Sequence, residues 1–140
     1  MATSYKLTPQ ERRRASLERL ETREQQRISN LSPILNVMVK AVKTASRSMI
    51  RDFGEVGQLQ VREKGAGDFV SESDIRAEEA LIEALSTARP DYGIISEERG
   101  KIAPKNDSPF TWIIDPIDGT TNFIHAIPYF AISVALRCRD

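Results

Sequence analysis

Residues 112–123 read WIIDPIDGTTNF, and this stretch decides how the rest of the chain is interpreted. Its apolar start predicts a buried strand that ends at Asp115. Pro116 then predicts a turn, after which Asp118 returns a second carboxylate to the same strand end. Gly119 has no side chain, so the backbone there can approach a bound group closely. The stretch therefore predicts two neighbouring carboxylates beside an open backbone segment.

The oxygen atoms of this stretch are typical of a Mg²⁺ site. Asp115, Asp118 and a backbone carbonyl offer the hard oxygen ligands that Mg²⁺ takes, usually together with waters and a substrate phosphate. Thr120 adds a hydroxyl, and the N–H groups that follow it would face an anion if a helix begins there. An ordinary turn is the alternative interpretation, because Asp-Pro and Asp-Gly are common turn dipeptides.

Three similar motifs are excluded by their spacing. An EF-hand loop carries acids at positions one, three and five and glycine at position six, which would put Ile114 at position one. Haloacid dehalogenase phosphatases have one residue between their two acids, whereas two residues separate Asp115 from Asp118. The chain also contains no Gly-x-x-x-x-Gly-Lys-Ser/Thr phosphate loop.

Upstream of this stretch, the sequence predicts two helices and several strands. A serine–proline pair at 32–33 is typical of a helix start, and apolar residues then recur at three- and four-residue steps up to Gly54. Ser71 and Asp74 form a capping-box pattern at the start of a second helix, over residues 74–88. The other predicted elements are a strand at 58–63, a loop at 64–67, an extended segment at 68–70, a short strand beginning at 94, a polar loop at 101–109 and a strand at 129–137. This order predicts an α+β fold, with two helices packed on a mostly antiparallel sheet.

The composition fits a globular domain with one core. The chain has 140 residues, of which 40% are hydrophobic and 29% are charged. No apolar run reaches the roughly 18 residues of a membrane span, so no membrane partner is expected. Cys138 is the only cysteine, which excludes an internal disulfide framework and favours the cytoplasm. The formal net charge is zero, so nucleic acid is an unlikely partner of the chain as a whole.

Residues 1–30 are predicted to be a charged N-terminal extension that precedes a domain over residues 31–140. The extension holds seven basic and four acidic residues. Thr8 and Glu11, with a proline between them, are typical of a helix start. The charged stretch that follows has no wide apolar stripe, which indicates a solvated helix. A flexible tail and a partner-binding helix are the alternatives, the latter because of the arginine triplet at 12–14.

Three motifs, in order along the chain, resemble those of the inositol monophosphatase family. They are GDFVSESD at 67–74, IISEE at 94–98 and DPIDGTTNF at 115–123. The resemblance covers residues 33–137 and implies the N-terminal part of a layered α/β/α/β/α sugar-phosphatase-like fold. It makes residues 31–140 the N-terminal metal-binding domain of such an enzyme.

The resemblance also implies an activity, a cofactor and partners. The activity is Mg²⁺-dependent hydrolysis of a phosphate monoester by metal-activated water, with myo-inositol 1-phosphate as the expected substrate. The main partner is therefore a small-molecule phosphate ester, and the family is lithium-sensitive and commonly homodimeric.

Four metal ligands are implied by the resemblance. Glu97 and Asp115 would hold a first Mg²⁺ together with the backbone carbonyl of Ile117. Asp115 and Asp118 would contribute to a second Mg²⁺. By itself, Glu97 would be interpreted as an exposed loop acid. Its role as a metal ligand is favoured only because the three motifs occur in this order.

The resemblance assigns the catalytic step to Asp74 and Thr120, as a hydrogen-bonded pair that orients and deprotonates the attacking water. Without the resemblance, Asp74 would be interpreted as an acid favoured by the helix dipole in a first turn. The implied substrate contacts are Glu97, Ile117, Asp118, Gly119 and Thr120.

One feature of the family is absent from these residues. The family's second half supplies a Trp-Asp motif whose aspartate completes the second metal site, and residues 1–140 contain no such half. We therefore expect an exposed apolar edge or face of the sheet. Two functions are open: a metal-dependent phosphatase or its metal-binding half, and an inactive phosphatase-like module that binds protein or RNA through the basic helix at 9–28.

Overall fold

A computed structural model describes residues 8–29, 32–55, 61–65 and 68–139. The chain divides into two compact units, Met1–Asn36 and Val37–Asp140. No helix in the described part of the chain has both the length and the apolar character that a membrane span requires.

The first unit contains helix α1, Pro9–Ser29. The backbone N–H and the hydroxyl of Thr8 donate to the Glu11 carboxylate at 2.7 and 2.8 Å, and the Glu11 N–H points back at the hydroxyl at 3.3 Å. These reciprocal bonds form the predicted cap. Leu17 and Leu20 are both more than half exposed, as expected of a solvated helix.

The remaining elements build an α+β arrangement, as the sequence predicts. In chain order they are α2 (Pro33–Gly54), β1 (Val61–Gly65), β2 (Asp68–Ser71), α3 (Glu72–Ala88), β3 (Gly93–Ser96), β4 (Gly100–Ile102), β5 (Phe110–Asp118), α4 (Thr120–Ile124) and β6 (Ala131–Cys138). Strands β1 and β2 form an antiparallel pair, and the other four strands lie in the order β4-β3-β5-β6. Only β3 and β5 run parallel in this sheet, and the two other pairings are antiparallel.

Both predicted helix starts are present. The Ser32 hydroxyl accepts the Leu35 N–H at 3.4 Å at the beginning of α2. Ser71 is the N-cap of α3 and forms a full capping box with Asp74. Helix α3 begins at Glu72, two residues before the predicted start, because Asp74 is the third residue inside the helix rather than its first.

An apolar cluster lies under the strand end that carries the two aspartates. Met49 from α2, Ile117 from β5 and Phe123 from α4 are its buried members. Phe130 packs edge-on against Phe123, with ring centroids 4.9 Å apart, and lies 5.0 Å from the ring of Phe53. The cluster fixes the backbone on both sides of Gly119, because it contains residues from each side.

Two predicted loops are partly strand. Residues Lys64 and Gly65 belong to β1, and Lys101 and Ile102 belong to β4. Strand β4 was not predicted because all three of its residues are exposed, so its sequence shows no alternation of apolar and polar residues. Backbone pairing with β3 is what defines it as a strand. The predicted positions 58–60 and 66–67 lie outside the described residues.

The boundaries of the last two strands also differ from the prediction. Strand β5 continues to Asp118 instead of ending at Asp115, and β6 begins at Ala131 rather than at Tyr129. Strand β6 lies at one edge of the sheet. Ile113 and Tyr129 are exposed near it, in agreement with the expected apolar exposure.

Candidate metal centre

The two aspartates of the central motif are brought together by an irregularity in β5 rather than by a turn. Asp115 lies opposite Ser133 of β6, and Asp118 lies opposite Ala131. The chain therefore advances by three residues along β5 while it advances by two along β6. Side chains three positions apart on a regular strand point to opposite faces. The extra residue in β5 brings the two aspartate side chains to the same face of the strand. Proline is tolerated at such an irregularity because it has no N–H to donate to the neighbouring strand.

Glu97 joins this strand end because of the one parallel pairing in the sheet. Strands β3 and β5 pair with Ser96 beside Ile114, so the residues that follow, Glu97 and Asp115, lie next to each other where this parallel pairing ends. The carboxyl ends of parallel strands share one edge of a sheet, which is where α/β proteins place their ligands. A side-chain hydrogen bond joins Glu97 to Asp115.

The electrostatics of Asp115 favour a bound cation. Burial raises the pKa of the Asp115 carboxyl, and the negative charges of Asp118 and Asp74 raise this pKa further, against the hydrogen bond from Glu97. A hydrogen bond between two carboxyl groups requires that one of them carry a proton. Asp115 Oδ1 is buried and has no hydrogen-bond partner among the described residues. A divalent cation would replace the shared proton and satisfy Oδ1, so the donor set fits a hard metal ion.

The predicted ligands converge only in part. Across residues 71–139, where side chains are described without a gap, no three His, Cys, Asp or Glu residues lie in an arrangement that could hold a metal ion. Glu97 and Asp118 are exposed, whereas Asp115 is half-buried. The Ile117 carbonyl accepts the Thr120 hydroxyl at 3.0 Å, and its second lone pair remains compatible with a metal contact.

The predicted pairing of Asp74 with Thr120 is present in the structure. The Thr120 hydroxyl lies 3.0 Å from Asp74 Oδ1 and 3.0 Å from the Ile117 carbonyl, and its single proton can serve one of these acceptors at a time. Asp74 Oδ2 accepts the backbone N–H of Ser71 at 2.8 Å and also its hydroxyl. Asp74 is 1% exposed, so the helix cap holds one of its oxygens while the other faces Thr120.

Gly119 connects β5 to α4 in a conformation that other residues rarely adopt. Its φ is +96°, and a Cβ added there would lie 3.2 Å from the Tyr129 carbonyl oxygen. Both observations favour glycine at this position. Beside it lies a cavity of about 410 Å³ that is lined by Asp118, Gly119, Asn122, Pro128, Tyr129, Phe130 and Ala131.

One buried carboxylate near this site was not predicted. Glu78 on α3 is 1% exposed and accepts the backbone N–H of Glu98 at 2.9 Å. Its partner is 20 residues away along the chain. The only signal in the sequence is its position four residues after Asp74, on the same helix face.

Comparison with known proteins agrees with the three motifs. The model of the inositol monophosphatase family matches residues 30–140. The inositol-1-monophosphatase of Caulobacter vibrioides is 55% identical over 100 residues, which cover 71% of this chain and 39% of the relative. The Nus factor SuhB of Pseudomonas aeruginosa is 39% identical over 108 residues, which cover 76% of this chain and 40% of the relative.

A solved structure shares the fold. The extragenic suppressor protein suhB of Bartonella henselae superposes with a TM-score of 0.74 and is 47% identical. The match covers 77% of this chain and 42% of that protein. The chain thus spans about 40% of the length of the curated relatives it matches. On the family match, the ordered motifs and the shared fold, the chain belongs to the inositol monophosphatase family.

Proposed function

We propose that this chain carries the metal-binding half of a Mg²⁺-dependent phosphate monoester hydrolase. The observation that carries the proposal is the half-buried Asp115 carboxyl, whose buried Oδ1 has no hydrogen-bond partner among the described residues and which is hydrogen-bonded to Glu97. Membership of the inositol monophosphatase family supports a phosphatase.

Glu97, Asp115, Asp118 and the Ile117 carbonyl are the proposed metal ligands. Bound Mg²⁺ would neutralise the phosphate dianion and lower the pKa of a coordinated water. Two carboxylates close together repel one another, and that repulsion makes this strand end a strong binding place for a divalent cation. Asp118 is exposed, so it would also reach the substrate.

Asp74 and Thr120 are the proposed catalytic pair. The Thr120 oxygen can accept a proton from the attacking water only if its own proton goes to another acceptor. Asp74 Oδ1 is such an acceptor at 3.0 Å, and its position is fixed by the Ser71 cap. The water oxygen would then bond to phosphorus, the phosphorus–oxygen bond to the alcohol would break, and the departing alcohol oxygen would take up a proton from solvent water.

Myo-inositol 1-phosphate is the substrate that we propose to test first. Relatives of this chain at 55% and 56% identity are named inositol-1-monophosphatase. The proposed phosphate contacts are the backbone of Gly119 and Thr120, beside the metal ligands. The close packing of Gly119 against Tyr129 supports a fixed backbone at this point.

The test measures the Mg²⁺-dependent release of phosphate from myo-inositol 1-phosphate by two proteins. One is the 140-residue chain, and the other is this chain joined to the C-terminal remainder of the Caulobacter vibrioides relative. We expect release by the joined protein, and its loss in the Asp118→Asn variant. The proposal fails if the joined protein folds and releases no phosphate with Mg²⁺, while the intact relative does so under the same conditions.

A second candidate function is binding of RNA through α1. Arg12, Arg13 and Arg14 are exposed on this helix, and a relative of the chain is named Nus factor SuhB. Single-stranded RNA retention should then weaken with salt, and replacing the three arginines by alanine should reduce the log–log salt slope by about 2. Retention that does not change in this triple variant would exclude the helix as the binding surface.

A further inference from the structure

Glu78 is the most deeply buried carboxylate that the proposed chemistry does not use. Its side chain is 1% exposed, and burying an ionised carboxylate is costly unless donors compensate it. Its Oε2 accepts the Glu98 N–H at 2.9 Å. Its Oε1 lies 3.9 Å from Arg99 Nε, on a side chain that is half exposed. The backbone of the β3–β4 turn is therefore its nearest donor.

This turn carries the proposed metal ligand Glu97. Strand β3 ends at Ser96 and β4 begins at Gly100, so residues 97–99 form the whole connection. A hydrogen bond to the middle residue of so short a turn restricts the residues on both sides of it. The contact between Glu78 and Glu98 thus limits where the Glu97 carboxylate can lie.

Helix α3 links this turn to the catalytic pair. Asp74 and Glu78 are four residues apart, and side chains with that spacing lie on one helix face, with Cβ atoms about 5–6 Å apart. Asp74 holds Thr120 at the end of β5, and Glu78 holds the turn after β3. One rigid helix therefore sets the distance between the two strand ends.

The neighbouring Glu79 provides a comparison within the same turn. It pairs with Arg99 at 2.7 Å, with both side chains about half exposed. An exposed ion pair of this kind contributes little and leaves the backbone free to move. Glu78 thus contacts the turn through a buried hydrogen bond to its backbone, whereas Glu79 contacts it only through an exposed bond to a side chain.

We infer that Glu78 is a positioning residue, which holds the β3–β4 turn so that Glu97 faces Asp115 in the metal centre. This inference rests on the proposed function, because it assigns Glu97 to a metal. Partners that orient a metal ligand typically change metal affinity by about 10–100-fold when they are replaced.

The test combines metal affinity with exchange of one amide proton. Mn²⁺ binding to the full chain is measured by calorimetry, and hydrogen exchange of the Glu98 amide by NMR, in Glu78→Met, Glu78→Asp and Glu78→Gln. Glu79→Gln is the matched control. Methionine removes the acceptor, aspartate keeps the charge but shortens the reach, and glutamine keeps an acceptor oxygen at the same reach.

We expect Glu78→Met and Glu78→Asp to weaken Mn²⁺ binding by about tenfold or more and to speed Glu98 exchange, while the amides of α3 and β5 stay protected. Glu78→Gln should restore both properties to near the wild-type values, and Glu79→Gln should change neither. If Glu78→Met does not fold, Glu78→Asp decides the question.

The two proposals fail in different ways. A folded Glu78→Asp variant that binds Mn²⁺ as the wild type does would overturn the positioning role and leave the proposed function in place. A wild-type chain that binds no Mn²⁺ at millimolar concentration would overturn both.

Discussion

Helices α1 and α3 begin with the same capping pattern, and only the cap of α3 is part of the candidate site. Thr8 and Glu11 exchange hydrogen bonds at the start of α1, as Ser71 and Asp74 do at the start of α3. The first pair is exposed, whereas Ser71 and Asp74 are both 1% exposed. The local sequence determines the cap in both places, and burial determines what else the carboxylate does.

The two caps differ in what the second oxygen of the capping carboxylate contacts. Asp74 Oδ1 accepts the hydroxyl of Thr120, which is 46 residues away along the chain. Away from water, each of these hydrogen bonds is stronger, and the loss of an acceptor leaves buried donors unpaired. The same pattern therefore stabilises one helix end on α1 and joins two distant segments on α3.

The largest expected effect comes from removing the buried cap acid. Asp74→Ala should lower the free energy of unfolding by about 2–3 kcal/mol, because the Ser71 N–H, the Ser71 hydroxyl and the Thr120 hydroxyl all lose an acceptor. Phosphate release by the joined protein should also be lost. Urea unfolding measures the first effect, and Glu11→Ala, which should change stability far less, is the control. Equal losses in the two variants would contradict the distinction between the two caps.

The next effect tests the backbone at Gly119, which connects β5 to α4. Gly119→Ala should cost about 1–2 kcal/mol, because alanine is strained at a φ of +96° and its Cβ would crowd the Tyr129 carbonyl. Gly54→Ala is the matched control, since an added Cβ there has no atom within 4 Å among the described residues beyond its chain neighbours and its own helix backbone. Alanine at that helix end should be neutral or stabilising. Urea unfolding that ranks the two substitutions in the opposite order would show that Gly119 is not strained.

Much of the site was predictable because its signals are local or come from a recognisable motif. The Ser71–Asp74 cap follows from spacing alone, and the pairing of Asp74 with Thr120 follows from the family resemblance. The neighbouring positions of Asp115 and Asp118 were predicted through a turn at Pro116. The structure brings them together by an irregular pairing of β5 with β6 instead.

What sequence analysis missed depends on pairing between distant residues. Strand β4 has only exposed residues, so no periodic signal marks it. Glu78 looks like a surface acid on α3 until its bond to the Glu98 backbone is known. The parallel register that sets Glu97 beside Asp115 is likewise a property of the whole sheet. None of these is encoded within a window of a few residues.

A smaller effect separates a partly buried ion pair beside the α3 cap from the exposed cap of α1. Arg76 donates to Asp52 at 2.8 and 3.2 Å and joins α3 to α2. Burial opposes ionisation of Asp52, but the hydrogen bonds from Arg76 and Ser73, together with the positive charges of Arg76 and Arg51, outweigh it and hold the pKa of Asp52 below its ordinary value of 3.8. The pair therefore stabilises the fold above about pH 4, and this stabilisation is lost as the pH falls through the lowered pKa.

Because Arg76 is 39% exposed, solvent screening limits this contribution to about 0.5–1 kcal/mol. Urea unfolding at about pH 5 and about pH 3 should show the loss in the wild type and a smaller loss in Arg76→Met. Glu72→Gln is the control, since it removes the negative charge of the other carboxylate that accepts from Arg76 and leaves Asp52 intact. The same pH dependence in Arg76→Met as in the wild type would exclude the Asp52–Arg76 pair as its source.

The smallest effect concerns the exposed cap itself. Hydrogen bonds from the Thr8 backbone N–H, and then from its hydroxyl, hold the pKa of Glu11 below its ordinary value of 4.5. Thr8→Val removes the hydroxyl but keeps the stronger backbone donor, so the pKa of Glu11 should rise and still stay below 4.5. The Glu11 carboxyl shift, followed by NMR against pH, measures this change. A return to the ordinary value would mean that the hydroxyl alone maintains the cap. Either result measures how much of a capping box survives in water, where Thr8 is the only described residue that donates to the carboxylate.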